Sequence, residues 1–140
     1  MYAGGADVIY HAAGGSGTGV FSQAKEINEK LTADSDQKVW VIGVDRDQSE
    51  EGDYTSSDNV DSNFVLTSTI KEVGQVVQDI SNKQLKGEKF NGNTTKTYGL
   101  ADGGVDVVTD NLSDSIKEAL ETAKQKIIDG EITVDDGLSD

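Results

Sequence analysis

The stretch Lys38-Val39-Trp40-Val41-Ile42-Gly43-Val44-Asp45-Arg46-Asp47-Gln48 decides how the chain is read. Five apolar residues and one glycine run unbroken from Val39 to Val44 and stop at an acidic cluster. A short run rich in β-branched residues is the pattern of a parallel strand covered on both faces. In open α/β sheets, ligands bind in the crevice beyond the carboxyl ends of such strands. Asp45 falls at that end, which makes it the first candidate for a ligand-contacting carboxylate.

Working outward toward the N-terminus, Ala6-Asp7-Val8-Ile9-Tyr10-His11-Ala12-Ala13 predicts a buried strand. The loop Gly14-Gly15-Ser16-Gly17-Thr18-Gly19 follows, then Val20, Phe21, Ala24, Ile27 and Leu31 at helical spacing. Strand, glycine loop and helix form one unit, and backbone N–H groups at a helix start can hold a polar or anionic group. The loop is no dinucleotide fingerprint: G-x-G-x-x-G would need glycine where Val20 or Ser22 stands, and no G-x-x-x-x-G-K-[ST] is present. Such a loop also serves as a plain strand-to-helix turn. Between this unit and the Val39–Val44 strand, Thr32 to Gln37 is a polar turn.

Toward the C-terminus, Ser49 to Asn63 predicts a long exposed loop with five carboxylates, without the spacing of a calcium-binding EF-hand. Phe64 to Ser68 predicts a short strand. Ile70, Val73, Val76, Val77 and Ile80 mark a helix face, with Thr69 and Glu72 as a capping box and Gly87 as the stop. That reading puts Lys71 in the first helical turn, where a cation opposes the helix dipole and calls for a local partner. Tyr98-Gly99-Leu100 and Val105 to Val108 predict two short strands about a glycine turn, either a hairpin or a crossing between lobes. A last helix carries Ile116, Ala119, Leu120, Ala123 and Ile127, with Ser113 as N-cap and Gly130 as stop. Ile132 and Val134 predict a terminal strand within the tail to Asp140.

Composition narrows the chemistry. The 140 residues carry 26 acidic and 12 basic side chains, a net charge of −14, which disfavours nucleic acid because phosphate binding needs basic patches. There is no cysteine and a single His11, so no disulfide, thiolate zinc site, cysteine nucleophile or multi-histidine metal site is expected. No apolar run reaches the roughly 18 residues of a membrane helix, and no signal peptide is visible. The sequence has no proline, for which we have no physical account. Hydrolase chemistry finds little footing. G-x-S-x-G matches Gly14-Gly15-Ser16-Gly17-Thr18 only in part, and His11 precedes the serine where that fold places its histidine after. Asp45 and Asp47 could act as paired carboxylates only if the strand continued through them.

The segments Ala6 to Gly17, Val39 to Gln48, Val65 to Val77 and Tyr98-Gly99-Leu100-Ala101-Asp102-Gly103-Gly104-Val105 together resemble the basic membrane protein family. These are substrate-binding lipoproteins of ABC transporters that act as purine-nucleoside receptors. The resemblance implies an α/β fold of the type I periplasmic-binding-protein kind: parallel sheets with flanking helices in two lobes, and ligand in the cleft between them. The family's chain is more than twice as long and begins with a signal peptide and a lipidated cysteine, so this sequence looks like a C-terminal portion. By analogy, residues 1–62 belong to the second lobe, 63–101 to the first lobe with the hinge crossings, and 102–140 return to the second lobe.

The resemblance also implies ligand-binding residues. Asp45, within the family's G-V-D-x-D-Q motif, would accept hydrogen bonds from ribose hydroxyls, each worth about 1.5–3 kcal/mol because one partner is charged. Lys71 would reach the sugar from the other side. Gly14 and Gly15 would let the backbone approach the nucleoside, and His11 or Phe21 would contact the base. The implied partners are a purine nucleoside and a transporter permease, with the membrane reached only through a lipid anchor that this sequence does not contain. The implied location is extracytoplasmic, on the cell membrane. No catalysis, cofactor or metal is implied. A nucleoside- or sugar-acting enzyme, and a ligand-sensing regulatory domain of the same fold, are the alternatives.

Overall fold

The computed structural model describes residues 1–89 and 92–135. The chain forms two compact units: the first comprises Met1–Lys71 and Val107–Leu112, the second Glu72–Asp106 and Ser113–Asp140.

The first unit is built on a parallel sheet. Strands β1 (Val8–Tyr10), β2 (Trp40–Gly43) and β5 (Val65–Lys71) lie side by side, with Val8 opposite Trp40 and Val41 opposite Val65. Both pairings are parallel. Val107, the last residue of β6 (Val105–Val107), also belongs to this unit, and the strand order is β1-β2-β5-β6. The predicted α/β sheet with flanking helices is therefore present. Helix α1 (Thr18–Asn28) covers the sheet with Phe21 and Ala24, which pack with Val39, Val41, Phe64, Val65 and Tyr54 into the core. Phe64 and Val41 are completely buried, as expected of central positions in a two-layer α/β unit. The glycine loop is a 3-10 turn, Gly14–Gly17, leading straight into α1.

The structure corrects four expectations in this unit. The segment around Val8 is not buried throughout: Ile9 and His11 are, while Val8 and Tyr10 are exposed, because successive side chains of β1 point to opposite faces and theirs is the uncovered one. Ser49 to Asn63 is not one loop. A 3-10 turn (Ser49–Gly52) leads into an antiparallel hairpin of β3 (Asp53–Thr55) and β4 (Asp61–Asn63). A single side chain, Tyr54, anchors that hairpin in the core, so the apolar alternation that betrays a strand is absent from its sequence. The strand after it runs to Lys71 rather than ending at Ser68. Thr69, Ile70 and Lys71 are therefore strand residues, and the capping box with Thr69 does not form.

In the second unit, helix α2 (Val73–Leu85) starts from Glu72 as N-cap, and α3 (Asp114–Ile128) from Ser113. Tyr98 to Leu100 forms no strand. Leu100–Asp102 is a 3-10 turn, so the segment is no hairpin. Glu131 to Asp135 forms no strand either, and the rest of the expected terminal strand's tail, residues 136–140, lies outside the described residues. Lys124 Nζ bridges Asp106 and Glu121, both at 2.8 Å, and Tyr98 donates its hydroxyl to Asp79 at 3.1 Å. Among the described residues, every buried apolar side chain belongs to the first unit. Neither α2 nor α3 buries a residue completely enough to count as core.

Candidate functional site

At the carboxyl ends of β2 and β5 the first unit has a concavity of about 230 Å³, lined by Tyr10, Ala12, Gly14, Val44, Asp45, Thr69 and Lys71. This is where the sheet rule places a ligand. The volume is below the roughly 300–1,000 Å³ of a complete small-molecule pocket.

Asp45 lies two residues beyond the end of β2, one step past Val44, and its backbone is unusual. Its φ is +71°, and Arg46 N–H closes on Val44 O across it at 2.9 Å. A three-residue turn with positive φ at its centre is the rare, strained form of γ-turn. Holding a non-glycine residue there costs on the order of 1–3 kcal/mol, and such strain collects at ligand-binding positions. The next strand supplies the support: Lys71 N–H donates to Asp45 O at 3.0 Å, and Lys71 Nζ lies 2.8 Å from Asp45 Oδ1. The aspartate hydrogen bond and charge hold the Lys71 ammonium above its ordinary pKa. Both side chains remain exposed, 51% for Asp45 and 69% for Lys71, and surface ion pairs of this kind add little to stability. The pair therefore does not offset the strain of the turn that carries it. Its partner relation does answer the question raised by the position of Lys71: the lysine lies at a strand end, facing a carboxylate, not in a helical turn.

The flanking charges are engaged elsewhere. Arg46 pairs with Glu51. Asp47 accepts from Ser49 N–H at 2.9 Å and from Ser49 Oγ at 2.6 Å, and these bonds hold its carboxyl below the usual value. Asp47 is thus a turn-forming residue and no partner for Asp45.

The other expected site residues divide. Gly14 lines the concavity with φ +53°, while Gly15 does not line it. His11 does not line it either. The ring is 5% exposed, turned under the glycine turn. Its Nε2 lies 3.1 Å from Gln48 Oε1, and its edge meets Phe21 at 5.2 Å between centroids. A Cβ on Gly17 would lie 2.0 Å from His11 Nδ1, so only glycine admits the ring at that point. Phe21 is a core residue. Tyr10 and Thr69 are the additions that sequence reasoning missed. Both line the concavity, and their hydroxyls lie 3.4 Å apart. Alternation along β1 could have found Tyr10, because it faces opposite to the buried Ile9.

A larger open groove of about 670 Å³ runs beside the hairpin, lined by Lys25, Glu29, Asp53, Tyr54 and Asp61 among others. It lacks a strained residue or a converging charge pair, and its Lys25 Nζ is spent on Asp53 O at 3.1 Å. The smaller concavity is the candidate site for that reason. No group of three or more potential metal-ligating side chains exists among the described residues, and no helix there is long and apolar enough to cross a membrane.

A parallel sheet covered by a helix, with a polar concavity at its carboxyl edge, places this unit in the α/β class. Residues 1–137 match the Bmp family, described as ABC transporter substrate-binding protein PnrA-like, and the chain belongs to that family. Among its relatives are the "ABC transporter nucleoside-binding protein BmpA" of Lactococcus lactis, 58% identical over 96% of this chain, and the "CD4+ T-cell-stimulating antigen" of Listeria monocytogenes, 46% identical over 96%. "Basic membrane protein A" of Borreliella burgdorferi is 34% identical over 96%. The chain spans 37% of the length of the first two and 35% of the third.

Proposed function

We propose that this chain contributes part of the ligand-binding site of an extracytoplasmic ABC-transporter receptor, that the ligand is a purine nucleoside, and that no reaction is catalysed. The observation that carries the reading is the Asp45–Lys71 pair, held on a strained turn at the carboxyl edge of the sheet. A carboxylate accepting from two vicinal hydroxyls, with an ammonium donating to one of their oxygens, is the recognition chemistry of a ribose. The exposed pair yields to a ligand at small cost, since its own net contribution is small. The nucleoside-binding name of the lactococcal relative supports the ligand class. Gly14, Tyr10 and Thr69 complete the wall of the concavity. Gly15 and His11 do not line the concavity and are left out of the proposed contacts. A transporter permease is the proposed macromolecular partner. In the proposed two-lobe arrangement, residues 1–62 and 102–140 belong to one lobe and 63–101 to the other.

The test is calorimetric titration with inosine, guanosine and adenosine, followed by chromatography of the recovered ligand. It is run on the 140-residue chain and on a chimera in which this chain replaces the matching segment of the lactococcal relative. Binding with ligand recovered unchanged supports the reading. Recovery of a free base or sugar would show an enzyme, and absence of binding in the chimera would refute the nucleoside assignment.

A further inference from the structure

Gln48, which ends the stretch Lys38–Gln48, ties three strands together. Its Oε1 accepts from Val44 N–H at 2.9 Å, which identifies it as the amide oxygen, and lies 3.1 Å from His11 Nε2. His11 is thus the donor to that oxygen. The backbone N–H of Gln48 donates to Ser68 Oγ at 3.1 Å, and Ser68 is fully buried in β5. One residue therefore reaches the exit of β1, the exit of β2 and the interior of β5. Val44 is 9% exposed and immediately precedes Asp45. Without Gln48, the Val44 N–H would be left unpaired at that depth, and the turn around Asp45 would keep only Arg46 N–H to Val44 O and Lys71 N–H to Asp45 O. A backbone strained to positive φ persists only where its surroundings over-determine it.

We propose that Gln48 is the positioning residue of the Asp45–Lys71 site: its side-chain oxygen fixes Val44, and through Val44 the left-handed turn that aims the Asp45 carboxylate at the concavity and at Lys71 Nζ. Its value for ligand binding rests on the reading of that concavity given above, whereas the positioning itself is a property of the unliganded protein. Gln48 touches no ligand-facing surface of the concavity in this arrangement and acts through Asp45.

The experiment follows the Lys71 ammonium by 15N side-chain NMR of the 140-residue chain across an alkaline titration. Asp45→Asn sets the midpoint of an unpartnered Lys71. Gln48→Met keeps the side-chain length and removes the acceptor, and it is expected to move the Lys71 midpoint downward toward the Asp45→Asn value. Gln48→Glu keeps an acceptor oxygen and is expected to leave the midpoint at or above that of the parent. Gln48→Asn, too short to reach Val44, repeats the Met expectation if Gln48→Met does not fold. An unchanged midpoint in folded Gln48→Met or Gln48→Asn overturns the inference, as does a Gln48→Glu midpoint as low as that of Gln48→Met. Failure of both shortened or apolar variants to fold would show a purely structural residue and equally overturn it. Guanosine titration of the chimera separates the two readings. A tenfold or greater loss of affinity in Gln48→Met is the expected result. A lowered Lys71 midpoint in Gln48→Met, with a parent chimera that binds no guanosine, leaves the positioning intact and removes the nucleoside reading.

Discussion

Asn28, the last residue of α1, is completely buried and makes both of its side-chain bonds to one residue. Its Nδ2 donates to Val39 O at 2.8 Å, and its Oδ1 accepts from Val39 N–H at 3.0 Å. It stands in for a neighbouring strand at the entry to β2, where Val39 is 7% exposed. Asn28→Ala leaves a buried N–H and a buried C=O without partners. Each such group costs about 1–3 kcal/mol, so the loss should be about 2–6 kcal/mol, a large share of the ~5–15 kcal/mol that holds a typical domain together. Trp40 is the only tryptophan and follows Val39 directly, so its fluorescence in a urea titration reports this unit. With a urea slope of ~2 kcal/mol per molar, within the usual range, the midpoint should fall by roughly 1–3 M. Asn28→Leu restores the volume without the hydrogen bonds and should be no better than alanine. A loss under about 1 kcal/mol for Asn28→Ala, or recovery in Asn28→Leu, would refute the reasoning and show that Asn28 acts by filling space.

Asp45→Asn in the chimera should weaken nucleoside binding by about tenfold or more, because an amide offers one acceptor oxygen where the carboxylate offers two. Its melting temperature should stay close to that of the parent, and an unchanged dissociation constant would remove Asp45 from the site. Lys71→Met should likewise weaken binding while leaving thermal stability nearly unchanged, since the ion pair it breaks is exposed. A drop in stability without a loss of affinity would make Lys71 a structural partner only. Tyr2 donates its hydroxyl to Trp40 O at 2.9 Å, and burial pushes its pKa up to about 12. A pKa raised in the folded state gives stability that is full below the unfolded value near ~10 and is lost as pH rises through the folded one. Stability should therefore decline above about pH 10, and phenolate absorbance should show a step near pH 12 that Tyr2→Phe lacks.

The strand Trp40–Gly43 and the placing of Asp45 at its end were legible because a dense apolar run stops abruptly at charged residues. The pairing of Asp45 with Lys71 was not. Thr67-Ser68-Thr69-Ile70-Lys71 carries no apolar alternation, because Ser68 is buried by satisfying Gln48 rather than by being apolar. Periodicity could not extend β5 through such a segment, and it moved Lys71 into the helix. His11 shows the same blindness from the other side. A polar ring at a strand exit looks like a ligand group, yet it is enclosed because Gly17 leaves room for it and Gln48 supplies a partner. Hydrophobic pattern marks where a chain is covered by apolar neighbours and says nothing of positions covered by hydrogen-bonded ones.

The uneven distribution of the core has a dynamic consequence. The first unit holds all the buried apolar side chains among the described residues, whereas Val73, Val77 and Leu85 of α2 and Ile116 and Ile128 of α3 remain 44–85% exposed. Opening a helix costs what its burial and its backbone bonds contribute, and in α2 and α3 the first is limited to partly buried residues such as Val76, Ile80, Leu120 and Ile127. In the 140-residue chain their amides should therefore exchange with solvent by local opening, while those of β2 and β5 wait for the first unit to unfold as a whole. Native-state fluctuation, and the first cut by a protease, fall in the second unit and spare the turn that carries Asp45.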